Sequence, residues 1–312
     1  MISIYRTDSD ITREIDNIEP GSWVKLVAPT EDEMKFISKK LGIELDFIKA
    51  ATDEEERARL EFEDDVTLIL VDTPIVSTEK TGLELHNAIP LAIIYTPQNI
   101  VTVCLQDVDI LSQFHETRVQ RYSTKKKNRF VLQILYKNAA KFLFYLKQID
   151  KSSTRVEMEL HKSMKNKELI QMLKLEKSLV YFATSIKSNE VVMEKLLRMP
   201  FIKEFPDDMD LLEDVIIENK QAMEMCDIYR NILSGTMDAF ASVISNNLNI
   251  VMKILTSLTI VLSIPTLIAS LWGMNVINLP FQSSPFGFWI VLSISLACCL
   301  VAIAILKIKK LM

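Results

Sequence analysis

Hydrophobic positions along this chain repeat with different periods in different stretches. Over residues 1–123, short β-branched runs alternate with helical stretches and are bounded by turn residues, the pattern of a mixed α/β domain. Strands are expected at 22–27, 67–72, 90–95 and 100–104. The last two are separated by Thr96, Pro97, Gln98 and Asn99, which favour a tight hairpin turn. Thr30 and Glu33 stand at capping-box spacing ahead of Met34, Phe36 and Ile37, so a helix is expected to start there.

Beyond Lys125, Lys126, Lys127 and Arg129, apolar residues recur at helical spacing and glycine and proline almost vanish until Pro200. The spacing predicts antiparallel helices over about 128–165 and 168–198, reversing at Asn166 and Lys167. After a break at 199–206, Asp207, Asp208 and Asp210 supply the acidic first turn of a third helix. No breaker follows before Pro265 except Gly235, so about 65 residues at 1.5 Å each would make a rod on the order of 100 Å long. Such a rod cannot bury itself, and oligomerisation is expected from its shape. The division is therefore 1–123, an α/β domain; 124–250, a long-helix stalk; and 251–312, a membrane domain.

From Ile254 to Leu306 there is no Asp, Glu, Lys, Arg or His, although the chain holds 36 basic and 41 acidic side chains. Residues 251–272 and 286–306 are each long enough to cross about 30 Å of hydrocarbon. Lys253 precedes the first span and Lys307, Lys309 and Lys310 follow the second, so the positive-inside rule places both ends in the cytosol. The loop 273–285 then faces outside, with a basic tail at 307–312. The first residues carry charges where a signal peptide needs an apolar core. The expected setting is a cell membrane, inner or plasma, crossed twice.

Composition excludes more than it suggests. The net charge of -5 selects no partner. Cys104, Cys226, Cys298 and Cys299 form no CxxC pair and have no His at metal-ligand spacing, so they read as apolar filler. Asp53, Glu54, Glu55 and Glu56 point in different directions on a short helix, as solvated acids do. The basic stretch Lys125–Arg129 lacks the interleaved aromatics of a nucleic-acid surface and reads as a solvated junction. His86, His115 and His161 have no nucleophile partner at a recognisable spacing, and no GxxxxGK[ST] occurs. Neither an enzyme nor a nucleotide-driven pump is indicated, and no prosthetic group is expected.

The first span is not uniformly apolar. Asn249, Met252, Thr256, Thr259, Ser263, Thr266 and Ser270 recur at intervals of three and four and share one face, which continues toward Ser245, Ser242 and Asp238. A single hydroxyl in a membrane helix ordinarily bonds back to its own backbone. A whole register of them, ending at Gly273, Met274 and Asn275, suits a narrow polar path shared by several helices. The second span has no such stripe, since Ser293, Ser295, Cys298 and Cys299 are scattered, and it is expected to pack outside and face lipid.

From Asp238 through Asn275 the sequence resembles the CorA family of magnesium channels, which includes the mitochondrial Mrs2 branch, and the domain order is similar over the whole chain. The run 245–256 is similar to the family's entry into the membrane, and Gly273, Met274, Asn275 match its Gly-Met-Asn signature. The resemblance implies an α+β membrane protein: a homopentamer with a cytosolic α/β domain, a funnel of long helices and five first spans around the conduction path. It implies that Asn275 forms the selectivity ring and holds hydrated Mg2+, that Asn249 lines the inner mouth, and that Met252 and Leu255 form the hydrophobic constriction. Thr266 and Ser270 match further pore-facing positions. Asp214 and Asp238 resemble stalk carboxylates of regulatory magnesium sites between subunits. Trp272 stands where the family usually has Tyr, and Ser263 where a methionine would narrow the pore. The outer loop lacks acidic residues, and Lys49 and Ala50 occupy the place of the carboxylate that would face Asp214, leaving Asp46 or Asp53 as substitutes.

Magnesium sheds water reluctantly, so neutral oxygens that accept hydrogen bonds from its first-shell waters bind it weakly enough to release it. The expected function is passive, potential-driven Mg2+ influx, with Co2+ or Ni2+ as possible passengers and intracellular Mg2+ as regulator. A zinc or other divalent transporter of the same superfamily is the alternative, against which Met274 speaks; a non-conducting membrane sensor or scaffold is another.

Overall fold

Burial on both faces explains why the strands read as near-continuous apolar runs. The computed structural model describes residues 1–8, 11–78, 84–115, 122–163, 166–203, 205–275, 279–281 and 284–309. Its seven strands are β1 (Ile2–Asp8), β2 (Ile11–Glu14), β3 (Ser22–Val27), β4 (Arg59–Glu63), β5 (Val66–Thr78), β6 (Glu84–Tyr95) and β7 (Ile100–Cys104). They form one sheet in the order β2-β1-β3-β7-β6-β5-β4, in which only β3 and β7 run parallel. The expected strands at 22–27 and 100–104 are β3 and β7. Those at 67–72 and 90–95 are parts of the longer β5 and β6, which pair from Thr67↔Tyr95 to Thr78↔Glu84. Strands β1, β2 and β4 were not expected, because polar residues on the β2 and β4 edges and on half-buried β1 beside them dilute the β signal.

Alternate residues serve two cores. Trp23, Ile69, Val71, Leu91 and Ile93 face one side, and Val24, Leu68, Leu70, Ala92 and Ile94 face the other. The second side is covered by α1 (Glu31–Leu41) through Met34 and Ile37, and by α2 (Leu45–Lys49) through Phe47 and Ile48. The capping box is present: the Glu33 N–H donates to Thr30 Oγ1 at 3.3 Å, and the Thr30 N–H donates to Glu33 Oε2 at 2.9 Å. On the first side lie α3 (Asp109–His115), α4 (Lys127–Ser163), α5 (Asn166–Leu196), the short α6 (Pro200–Lys203) and the start of α7 (Pro206–Trp272). They contribute Phe114, Phe130, Ile134, Val192, Ile202 and Val215 to one core with the sheet. Trp23 anchors it, in edge contact with Phe114 and Phe130 and donating from Nε1 to Thr102 Oγ1 at 2.9 Å.

Two details differ from expectation. Asn166 and Lys167 are already helical in α5, so the reversal expected at these two residues is not there; residues 164–165, between α4 and α5, lie outside the described residues. The break at 199–206 contains the one-turn α6, and Pro206 opens α7, where a proline's missing N–H is harmless. Lys310 of the expected basic tail and parts of the outer loop, 276–278 and 282–283, also lie outside the description.

The chain forms two compact units, Met1–Met237 and Asp238–Met312, and α7 contributes to both. The second unit holds the remainder of α7 and α8 (Gly287–Ile308).

Candidate functional site

Apolar surface that a single chain leaves bare must be covered by lipid or by partners, and in the second unit most of it is bare. Among the described residues α7 and α8 are the two helices long and apolar enough to cross a membrane, and only 6% of the apolar window in each is buried. Where they touch, they do so along a narrow seam. On α7 the positions covered in part or whole include Ser257, Val261, Ile264, Pro265, Ile268 and Trp272; on α8 they include Gly287, Val291, Ser295, Cys299 and Leu306. The serines at 257 and 295, 2% and 9% exposed, put small side chains on this seam. The α8 polar residues are therefore not all scattered: Ser295 and Cys299 are four apart and share the seam, whereas Ser293 and Cys298 are exposed.

At about 3.6 residues per turn, the outer stripe positions Thr259, Ser263, Thr266 and Ser270 lie on the side of α7 opposite this seam, whereas Asn249 and Thr256 stand closer to it. Asn249, Met252, Leu255, Thr256, Thr259, Ser263, Thr266 and Ser270 are all exposed. Three of the hydroxyls bond back along the helix: Thr259 Oγ1 donates to Leu255 O at 2.8 Å, Ser263 Oγ to Thr259 O at 2.7 Å, and Thr266 Oγ1 to Leu262 O at 2.9 Å. With its proton committed to the backbone, each oxygen on these exposed residues keeps acceptor capacity only. At the inner end a hollow of about 370 Å3 is lined by Asn249, Met252, Lys253, Thr256, Ser257 and Leu306.

The outer end of α7 closes at Gly273, whose N–H donates to Ala269 O at 2.9 Å. A Cβ at Gly273 would stand 3.2 Å from that same oxygen, so the smallest residue fits this last turn best. Met274 and Asn275 follow beyond the helix and are exposed. Trp272 lies against Gly287, the first residue of α8, where a Cβ would collide with the Phe281 carbonyl; the glycine lets the two helix ends meet.

The carboxylates named from the sequence are not gathered in one chain. Asp214 and Asp238 are exposed on α7, and among the described residues no group of three or more His, Cys, Asp or Glu could hold a metal ion. Asp53 is engaged locally, its Oδ1 accepting the Glu55 N–H at 3.0 Å. Asp46 lines a hollow with Glu44, Glu61 and Glu63, in which a hydrogen bond with the neighbouring Glu44 raises the Glu63 carboxyl above its ordinary range. All four cysteines are free, and burial pushes the Cys104 and Cys226 thiols up to about 12, so both are inert.

Sequence reasoning missed the seam. Ser257 and Ser295 sit in apolar segments with no local motif, and only the four-residue spacing of Ser295 and Cys299 hinted at a shared face.

Known proteins agree with this architecture. The family model for the CorA-like Mg2+ transporter protein matches residues 20–310. The cobalt/magnesium transport protein CorA of Methanocaldococcus jannaschii is 27% identical over 98% of this chain and 98% of its own. The magnesium transport protein CorA of Campylobacter jejuni is 24% identical over 92% of this chain and 90% of its own. The complete structure of the M. jannaschii CorA magnesium transporter superposes with a TM-score of 0.85 at 23% identity, covering 98% of this chain and 97% of that one. Full-length CmaX shares the fold at a TM-score of 0.72 and 13% identity, covering 98% of this chain and 97% of its own. The chain thus belongs to the CorA-like Mg2+ transporter family, as a two-span membrane protein of ion transport and not an enzyme.

Proposed function

We propose that the chain forms a passive, potential-driven pathway for hydrated magnesium, assembled as a homopentamer with α7 inside and α8 outside. The observation that carries this reading is the opposition, on α7, of the outer stripe from Thr259 to Ser270 and the seam with α8. A helix that commits one side to α8 and leaves a polar side exposed suits a position around an axis, with α8 toward lipid. Hydroxyl oxygens with acceptor capacity only suit the hydrogens of a cation's water shell and offer anions no donor. The names of the M. jannaschii relative support cobalt as a second passenger.

In this arrangement the Asn275 amides form the outer selectivity ring with Gly273 and Met274. Asn249 lines the inner mouth, Met252 and Leu255 the constriction, and Thr256, Thr259, Ser263, Thr266 and Ser270 the path between. The absence of carboxylates from Ile254 to Leu306 fits weak, outer-shell recognition. A divalent ion crossing 100 mV gains about 4.6 kcal/mol, twice the single-charge value of about 2.3, and needs no nucleotide. Lys253, Lys307 and Lys309 favour a cytosolic location of both ends in the plasma or inner membrane. In this arrangement Asp214 and Asp238, exposed in one chain, meet a neighbouring subunit and hold regulatory Mg2+ there.

The deciding experiment is ion flux into liposomes carrying the purified protein, comparing magnesium, cobalt and zinc, with Asn275→Ala alongside. Magnesium flux that the substitution abolishes supports the proposal. Zinc flux without magnesium flux moves the chain to the zinc-transporting branch, and no flux for any ion leaves a sensor or scaffold.

A further inference from the structure

Pro265 lies inside α7. Proline has no N–H, so the carbonyl of Val261, four residues earlier, lacks its helical donor. A backbone acceptor left unpaired in hydrocarbon is costly, and membrane helices that contain proline need a substitute. Here the substitute comes from the other span: the Cys299 thiol on α8 donates to Val261 O with Sγ at 3.6 Å. Cys299 is half-buried on the seam, whereas Cys298 beside it is exposed.

We propose that Cys299 is a positioning residue, whose thiol holds the carbonyl that Pro265 releases and fixes how the outer part of α7 leans on α8. The missing ladder bond makes this the easiest place for α7 to bend. Ser263 stands just before it and Thr266 just after, and Asn275 lies ten residues beyond. The helix ends at Trp272, so at 1.5 Å per residue the lever is about 10 Å, and a lean of about 10° displaces the helix end that carries Gly273, Met274 and Asn275 by about 1.8 Å while Asn249 stays in place. The consequence for transport rests on the conduction role proposed above; the hydrogen bond itself does not.

The test uses the full chain in liposomes. Cys299→Val keeps the volume and removes the donor, Cys299→Ser keeps a donor, and Cys298→Ala is the control. The infrared S–H stretch of Cys299, isolated as the difference between wild type and Cys299→Val, is expected at lower frequency than that of Cys298, isolated with its own variant. Magnesium flux is expected to fall about two- to fivefold in Cys299→Val, the size of effect for one weak hydrogen bond, to recover in Cys299→Ser, and to stay unchanged in Cys298→Ala. Coincident S–H bands overturn the hydrogen bond. Separated bands with unchanged flux in Cys299→Val overturn the positioning role. Absence of flux in the wild type overturns the conduction reading, while the S–H comparison still decides the bond. Should Cys299→Val fail to fold, Cys299→Ala provides the same comparison.

Discussion

Asn189 does for β5 what a neighbouring strand would do. β4 begins at Arg59, opposite Leu70, so Asp72 lies past its end. There the Asp72 N–H donates to Asn189 Oδ1 at 2.8 Å, and Asn189 Nδ2 and Asn138 Nδ2 donate to Asp72 O at 2.8 and 2.7 Å. Asn189→Ala is expected to cost about 1–3 kcal/mol by leaving a buried amide unpaired, and faster hydrogen exchange at the β5 amides would register it. Burial also raises the Asp72 carboxyl above its ordinary 3.8, partly offset by a hydrogen bond with Ser185. Between the unfolded and the raised folded value the native state binds more protons, so this group's contribution to stability falls as pH rises through that window. Asp72→Asn is accordingly expected to raise the thermal midpoint at pH 7 relative to wild type, with the difference shrinking toward pH 3.5; an equal shift at both pH values would contradict this. Thr30 and Glu33 were legible as a pair because they are three residues apart. Asp72 and Asn189 were not, because 117 residues separate them.

At the scale of the element, α7 was readable as one long helix because nothing between Asp207 and Pro265 stops it, and its stripe was readable because hydroxyl spacing is a local property. The partner of its opposite face was not, since the seam depends on where Ser295, Cys299 and Leu306 fall once α8 packs. Thr259→Val replaces a hydroxyl acceptor with a methyl group while preserving shape. Magnesium flux is expected to fall about two- to tenfold from the loss of one hydrogen-bond acceptor per subunit, whereas Thr259→Ser should retain it; equal flux in both variants would remove Thr259 from the path. The same comparison at Leu258, exposed but outside the stripe register, should show no effect.

At the scale of the whole molecule the prediction concerns assembly. Ile217, Ile228 and Ile232 on α7 are more than half exposed, which a soluble segment tolerates poorly unless partners cover it. Mass measurement of the detergent-solubilised protein is expected to give five copies; a monomer would contradict the proposed path. If Asp214 holds regulatory magnesium between subunits, currents of Asp214→Lys should lose their inhibition by internal magnesium, and unchanged inhibition would remove that residue from regulation. The sequence by itself determined the membrane spans, the continuous helix, the polar stripe and the Gly273–Met274–Asn275 terminus, because each follows from local composition or from a fixed helical period. Only the tertiary structure decided the edge order of the sheet, the amide caps on Asp72, the serine-lined seam and the contact between Cys299 and the carbonyl freed by Pro265. Those depend on which distant residues packing brings within hydrogen-bond range, and no local pattern encodes that distance.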